Sequence, residues 1–384
     1  MPSIPVMEEP LMVESNQALA DIARQWQCSS MLAVDTEFIR TDTFYAILGL
    51  IQVSDGSGCW LIDPLTITDW QPLKNLLQDQ RIIKVFHAPS EDLEVLNQTI
   101  GCLPQPLFDT QVAAALAGFG FSRGYSALVK VLLDIELEKH ETRSDWTRRP
   151  LSETQKAYAA EDVHYLAMIY PMLEQRLQAL GRSQWLVDDM QLLADKASEP
   201  DCTELYYLKV KSAWHLKPAG VALLQRLCMW REQEARLRDK PRSRIVSDKV
   251  LLEVALHWPA NMNELSVLHD MHPRVLRMYG SKLLSLVVEC RSLSESSYPE
   301  LLPQPLPREC GAALKRLRKK LMGVAEQLDL PAEIIARKRD LEALLRSVYE
   351  TNQPRLPASL CSGWRNEVVG QALLEEAERI AKQQ

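Results

Sequence analysis

At 384 residues the chain exceeds one ordinary core, and roughly 100–200 residues per domain gives two or three domains. Its composition is 46% hydrophobic and 25% charged, the balance of a soluble globular protein, which excludes a disordered or fibrous chain. No apolar run approaches the ~18–20 residues of a membrane helix, and MPSIPVMEEPLMVES lacks the basic-then-apolar order of a secretion signal. Cysteines stand at 28, 59, 102, 202, 228, 290, 310 and 361, no two closer than 20 residues. That spacing excludes a CxxC-type zinc or redox site and argues for free thiols in a reducing cytoplasm.

The net charge of −7 hides an asymmetry. Residues 1–200 hold 15 Lys+Arg against 28 Asp+Glu, or −13, while residues 201–384 hold 29 against 23, or +6. Two halves so different suggest separate tasks, with the basic half a candidate for a polyanionic partner.

In chain order, MLAVDTEFI (31–39), LGLIQVSD (48–55) and GCWLIDPL (58–65) are aliphatic runs bounded by turn residues, which predicts three strands in an antiparallel meander. IIKVFHA (82–88) is a further strand and SEDLEVLNQTI after it is helical. Helices are expected at 110–119 and 126–135. A long one should start at Ser152, which forms an S-x-x-Q capping box with Gln155, and stop near Gly181. From about residue 205 strand signals vanish. Leu223, Leu227 and Trp230, then Val250, Leu251, Val254 and Ala255, recur at helical spacing. PELLPQPLPR (299–308) carries four prolines in ten residues and reads as a stiff linker. Helical patterns resume at 309–328, 332–348 and 363–382. The expected domains are 1–200 (α/β, a mixed sheet with helices around it), 207–295 and 296–384 (both all-α).

Chemistry concentrates in three places. Asp35 and Glu37 lie two apart in a strand, so both side chains share one face, and apolar Leu32, Ala33 and Val34 precede them. Carboxylates at the end of a buried strand need a partner or a hard divalent ion; read alone, the pair could also be a solvated turn. Asp92 follows the strand 82–88 at the start of a helix, where it could equally serve the helix dipole. Tyr158 and Asp162 are spaced i,i+4, which puts phenol and carboxylate on one helix face.

Together, in this order, VDTEF (34–38), Asp92 and Tyr158-Ala-Ala-Glu-Asp162 resemble the DEDD superfamily of 3′→5′ exonucleases, in its Y-x-x-x-D variant. KVFHAPSEDLEVL, FDTQVAA (108–114) and SDWTRRPLSETQKAYAAEDVHYL (144–166) are similar to the ribonuclease D family. LKPAGVALLQRLCMWREQEARLRDKPRSRIVSDKVLLEVA (216–255) resembles an HRDC domain, and ARKRDLEALL (336–345) with SGWRNEVVGQALL (362–374) looks like a diverged second copy.

The resemblance implies a ribonuclease H-like mixed-sheet exonuclease domain followed by two HRDC-type helical domains. It implies a hydrolase that trims the 3′ ends of structured RNA such as precursor tRNA, releases nucleoside 5′-monophosphates and acts as a cytoplasmic monomer. Asp35, Glu37, Asp92 and Asp162 would hold two divalent ions, Mg²⁺ or Mn²⁺, with Tyr158 orienting the attacking water. His87 is expected to be a packed strand histidine. Trp146 with Arg143, Arg148 and Arg149 mixes aromatic and basic residues as RNA-binding loops do, and the run Arg236, Arg238, Lys240, Arg242, Arg244 is a candidate RNA-binding patch. Two rivals stand beside this reading: a DNA exonuclease of the same superfamily, and a non-catalytic nucleic-acid-binding protein.

Overall fold

The computed structural model describes residues 9–137, 141 and 144–383. The chain divides into two compact units. The larger comprises residues up to Ile39, Ile47–Glu199 and Leu306 onward; the smaller comprises Arg40–Ala46 and Pro200–Pro305.

The larger unit opens with β1 (Leu11–Val13), α1 (Asn16–Trp26), β2 (Met31–Ile39), β3 (Ile47–Ser54) and β4 (Cys59–Ile62). It continues through α2 (Gln71–Leu77), β5 (Ile83–Phe86), α3 (Ser90–Ile100), β6 (Leu107–Asp109), α4 (Thr110–Leu116) and α5 (Tyr125–Leu133). The long α6 (Glu153–Ala179) and α7 (Ser183–Ser198) follow. The six strands form one sheet in the order β1-β4-β3-β2-β5-β6. β2, β3 and β4 make the expected antiparallel meander, while β5 and β6 extend it in parallel from β2. The carboxyl ends of β2, β5 and β6 therefore open on one edge, the edge where α/β sheets bind ligands.

Local chemistry sets these boundaries. Ser152 caps α6 in a complete capping box with Gln155, and Gly181, at φ 68°, turns the chain just past the helix end. Gly101 ends α3 in the left-handed conformation. Lys84 is fully buried in β5, and its ammonium donates to the carbonyls of Asp79 (2.7 Å) and Ile82 (2.5 Å), with Leu76 at 3.5 Å. A buried cation thus gathers the carbonyls of the turn between α2 and β5.

The smaller unit is all-helical: α8 (Pro218–Leu237), α9 (Arg242–Ile245), α10 (Asp248–His257), α11 (Met262–Ser266) and α12 (Pro273–Arg291). Its core holds Leu223, Leu227, Val250, Leu251, Val254 and Leu283, among them the residues whose spacing predicted the helices. The proline-rich stretch lies between this unit and α13 (Gly311–Gln327), α14 (Ala332–Ile335), α15 (Lys338–Thr351), α16 (Gly363–Arg365) and α17 (Gln371–Ala381).

Those last helices pack within the larger unit. Asp189 on α7 accepts two hydrogen bonds from the Arg365 guanidinium and one from Trp364 Nε1 at 3.1 Å. The indoles of Trp185 and Trp364 stack in parallel, 4.6 Å between centroids. Arg182, only 8% exposed, donates to the carbonyls of Leu116 (2.6 Å) and Leu328. A segment that reads in sequence as a separate module is thus part of the same unit as the sheet.

Candidate active site

β2 carries the first two acids to the binding edge of the sheet. Asp35 lies opposite Gln52 and Glu37 opposite Leu50, and the register shifts between Glu37 and Phe38. A bulge there, with Gly49 the extra residue on β3, offsets the pairing just past the second acid before it resumes at Phe38 and Ile39. α6 crosses β2, β3 and β4. Its Ala159 and Ala160 are both fully buried, and such small side chains let a helix lie close to a sheet. That approach brings Asp162 to β2: one oxygen each of Asp35, Glu37 and Asp162 lie within 4.8 Å of one another.

Asp92, from α3, is 8% exposed and accepts a 2.5 Å hydrogen bond from Thr36 Oγ1. Thr36, between the two acids of β2, ties the fourth carboxyl to the first pair. Tyr158 lies one turn before Asp162 on α6, and its phenol and that carboxylate shift one another's titration. All five predicted residues therefore belong to one constellation.

Their electrostatics are those of a site built for positive charge. Burial, then the neighbouring carboxylates Asp92, Asp162 and Glu37, raise Asp35 well above the usual carboxylate range. Burial, then Asp162 and Asp92, lift Glu37 to about 8. Burial lifts Asp162 to about 7 and Asp92 to about 6. Among the described residues no Lys or Arg pairs with Asp35, Glu37 or Asp162. Converging acids without a cation repel one another, and their hard oxygens suit a divalent ion such as Mg²⁺. Tyr158 is pushed up as well, by burial and then by Asp162 and Glu37, so its phenol stays protonated and serves as a hydrogen-bond donor.

Supporting residues emerge that the sequence reading passed over. Tyr125 on α5 donates to the backbone carbonyl of Asp162 at 2.5 Å, fixing that turn of α6. Ala88, two residues after β5, has φ 56°, an uncommon conformation for a residue with a Cβ. Asp109 holds it there by accepting from Ala88 N (2.9 Å) while capping α4 through Gln111 N (2.8 Å). The turn so formed leads into α3 and Asp92. A turn residue without glycine gives no signal in the sequence.

His87 packs as expected. Its Nδ1 lies 2.9 Å from Thr110 Oγ1, its ring meets Tyr125 edge-on, and burial holds it near pKa 4, neutral at physiological pH.

The proposed RNA-binding residues of the 143–149 loop need correction. Arg143 lies outside the described residues. Trp146 is 1% exposed and packs with Leu50, Leu61, Leu151 and Ala159, so it offers no face to a base. It fits because residue 49 is glycine; a Cβ there would lie 2.6 Å from Trp146 Cβ. The Trp146 ring backs that of Tyr158 at 6.1 Å. Arg149 is bidentate to buried Asp63 (2.5 and 2.6 Å) and also donates to Gly49 O and Trp146 O, so it staples the loop to the sheet. Only Arg148 of the three faces solvent.

The patch in the smaller unit is largely neutralised from within. Arg242 is bidentate to Glu232 at 2.6 Å, and Arg236 also bonds Glu232 and Asp201. Arg238 pairs with Glu234. Arg244 stays two-thirds exposed, 3.7 Å from Asp42. Sequence spacing shows basic residues; it does not show which acids fold back onto them.

The comparisons with known proteins agree with this geometry. The family model described as 3′-5′ exonuclease matches residues 10–178, the HRDC domain model residues 221–287, and the ribonuclease D C-terminal HRDC domain model residues 311–373. Ribonuclease D of Pseudomonas paraeruginosa is 48% identical over 366 residues, covering 95% of this chain and 97% of its own. The chain belongs to the ribonuclease D family. Ribonuclease D of Escherichia coli is 37% identical over 94% of this chain and 96% of its own. The E. coli crystal structure superposes with a TM-score of 0.89 over 97% of this chain and 99% of that one, at 36% identity. As a family member the chain is a 3′→5′ exoribonuclease, a hydrolase of RNA phosphodiester bonds, and the exoribonuclease reading stands over both rivals. It carries an acidic cluster that could bind metal.

Proposed function

We propose that the chain trims the 3′ ends of structured RNAs, precursor tRNA among them, by two-metal-ion hydrolysis, releasing nucleoside 5′-monophosphates. The observation that carries this is the convergence of Asp35, Glu37 and Asp162 within 4.8 Å, with Asp92 tied in through Thr36. The related E. coli protein is described as an exoribonuclease involved in structured RNA processing, which supports the substrate class.

Asp35, Glu37 and Asp162, with Asp92 beside them, would hold the ions. Two bound divalent ions would lower the pKa of an attacking water and stabilise the leaving 3′-oxygen. The chain's own part is orientation. Tyr158, protonated and fixed against Trp146, presents its hydroxyl to the water. Tyr125 holds the Asp162 turn, and Asp109 sets the turn that delivers Asp92.

The protein acts as a monomer in the cytoplasm; eight free thiols fit a reducing compartment. In the deciding experiment, matched RNA and DNA oligomers and a precursor tRNA are incubated with Mg²⁺, Mn²⁺ or EDTA, and products are resolved by chromatography. Mononucleotides from RNA with either ion and none with EDTA are expected. Preferential DNA hydrolysis would overturn the substrate class.

A further inference from the structure

Away from the carboxylates, the smaller unit contains a cavity of about 440 Å³. Lys209, Arg231 and Arg242 line it together with Asp248; Arg231 pairs with Asp248 and Arg242 with Glu232, which leaves the Lys209 charge uncompensated. Ser243 and Ser247 add hydroxyls.

The cations are held in place. Lys209 Nζ sits 4.2 Å from the centre of the Tyr206 ring, and the Arg242 guanidinium 4.9 Å from the same ring. Phe44 supports Arg242 from another side at 4.7 Å. Arg231 is 4% exposed; one terminal nitrogen reaches Val246 O (3.1 Å) and Asp248 (2.6 Å), while its Nε–H meets no acceptor. Among the described residues, no carboxylate lies within ion-pair distance of Lys209. Ser247 accepts from Val250 N, which leaves its own O–H free to donate.

A buried guanidinium N–H with no acceptor is unfavourable, and the exposed Lys209 ammonium beside it has no ion-pair partner among the described residues, so an anion in the cavity would meet both. Fixed donors of this kind, contributed by four separate elements, match the oxygens of a phosphate group. We propose that this cavity is a phosphate site that takes one backbone phosphate of the RNA substrate. The proposal rests on the structured-RNA reading above only for the source of the phosphate.

Lys209 and Ser243 are exposed and lie outside the hydrophobic core, so substitutions there leave the fold intact. Lys209→Gln and Ser243→Glu are compared with the wild type on tRNA-sized RNA and on a short oligonucleotide, over a range of salt. Lys209→Gln should reduce the slope of log affinity against log salt by about 1. It should raise KM on tRNA-sized RNA about three- to tenfold with kcat unchanged, and Ser243→Glu should raise it further. Turnover of the short oligonucleotide should not move. At constant ionic strength, inorganic phosphate should compete with tRNA-sized RNA for the wild type and not for Ser243→Glu.

Unchanged slopes and KM values in both variants, with normal turnover, would overturn the site alone. Phosphate binding lost in Ser243→Glu while RNA affinity stays constant would also overturn it, because the cavity would then hold free phosphate. Wild-type turnover of oligonucleotides but not of tRNA-sized RNA would overturn the structured-RNA reading and this site with it.

Discussion

Tyr158 stands one turn before Asp162 on α6, and burial with the surrounding acids keeps its phenol protonated. Tyr158→Phe therefore removes one hydroxyl and leaves the packing against Trp146. Turnover should fall about 10²–10⁴-fold with an unchanged melting temperature and Mg²⁺ titration; near-wild-type rates would exclude the orienting role. The acids make a second prediction. Glu37, Asp162 and Asp92 titrate near 8, 7 and 6 in the folded chain, above their usual ~4 when unfolded. Between those values the folded state binds more protons, so stability falls as pH rises from about 4 to about 8. Chelated protein should melt progressively lower across that window, and Mg²⁺ should raise the melting temperature more at pH 8 than at pH 5. A flat pH profile without metal would mean that the acids are not crowded. Asp35, Glu37, Tyr158 and Asp162 were legible because their spacings, two in a strand and four in a helix, translate directly into a shared face, whereas Asp92 was placed only by the family resemblance. Trp146 and Arg149 misled for the opposite reason. A loop rich in Trp and Arg reads as exposed, and only the Gly49 notch and buried Asp63, nearly a hundred residues earlier, show otherwise.

At the scale of elements, β3 and the 144–151 loop meet through Gly49, where the glycine admits Trp146. Gly49→Ala should cost about 1–3 kcal/mol through overpacking and should lower kcat as well, because the wall behind Tyr158 moves; denaturant unfolding and steady-state rates measure both. A stability loss with unaltered kcat would mean that the wall does not position the tyrosine. Lys84→Met should cost about 1–3 kcal/mol with activity intact, since the carbonyls of the turn between α2 and β5 lose a buried donor. The meander, α3 and the capped α6 were readable from alternation and cap chemistry. β1 and β6 were not, because strands of three residues are too short to show a period of two. Both are specified by pairing with neighbours already in the sheet.

For the whole molecule, the informative contacts are those of Arg182, Trp185 and Asp189 with the last helices. Sequence reasoning expects a cut near residue 205 to leave an intact nuclease. The structure implies that such a cut also strips α7 of its cover. Trp364→Ala should destabilise the larger unit by about 3–5 kcal/mol, read as an earlier denaturant transition of the nuclease; a transition confined to the C-terminal helices would show that they fold independently. The halves' charge difference was plain in the sequence, yet it did not follow the structural division, because such pairings span more than a hundred residues and leave no local pattern.

The larger unit is discontinuous in the chain, interrupted at residues 40–46 and again from 200 to 305. A ribosome releases the sheet and α6 well before the helices that complete their packing. Every carboxylate of the site is made by residue 162, yet α7 waits for Trp364 and Arg365 while more than 160 further residues are synthesised. During that interval the apolar face around Trp185 is open to chaperones or to another nascent chain, and the smaller unit must emerge in full before it closes. The enzyme's final assembly step is therefore set by translation: the polypeptide carries its catalytic groups early and acquires the support behind them last.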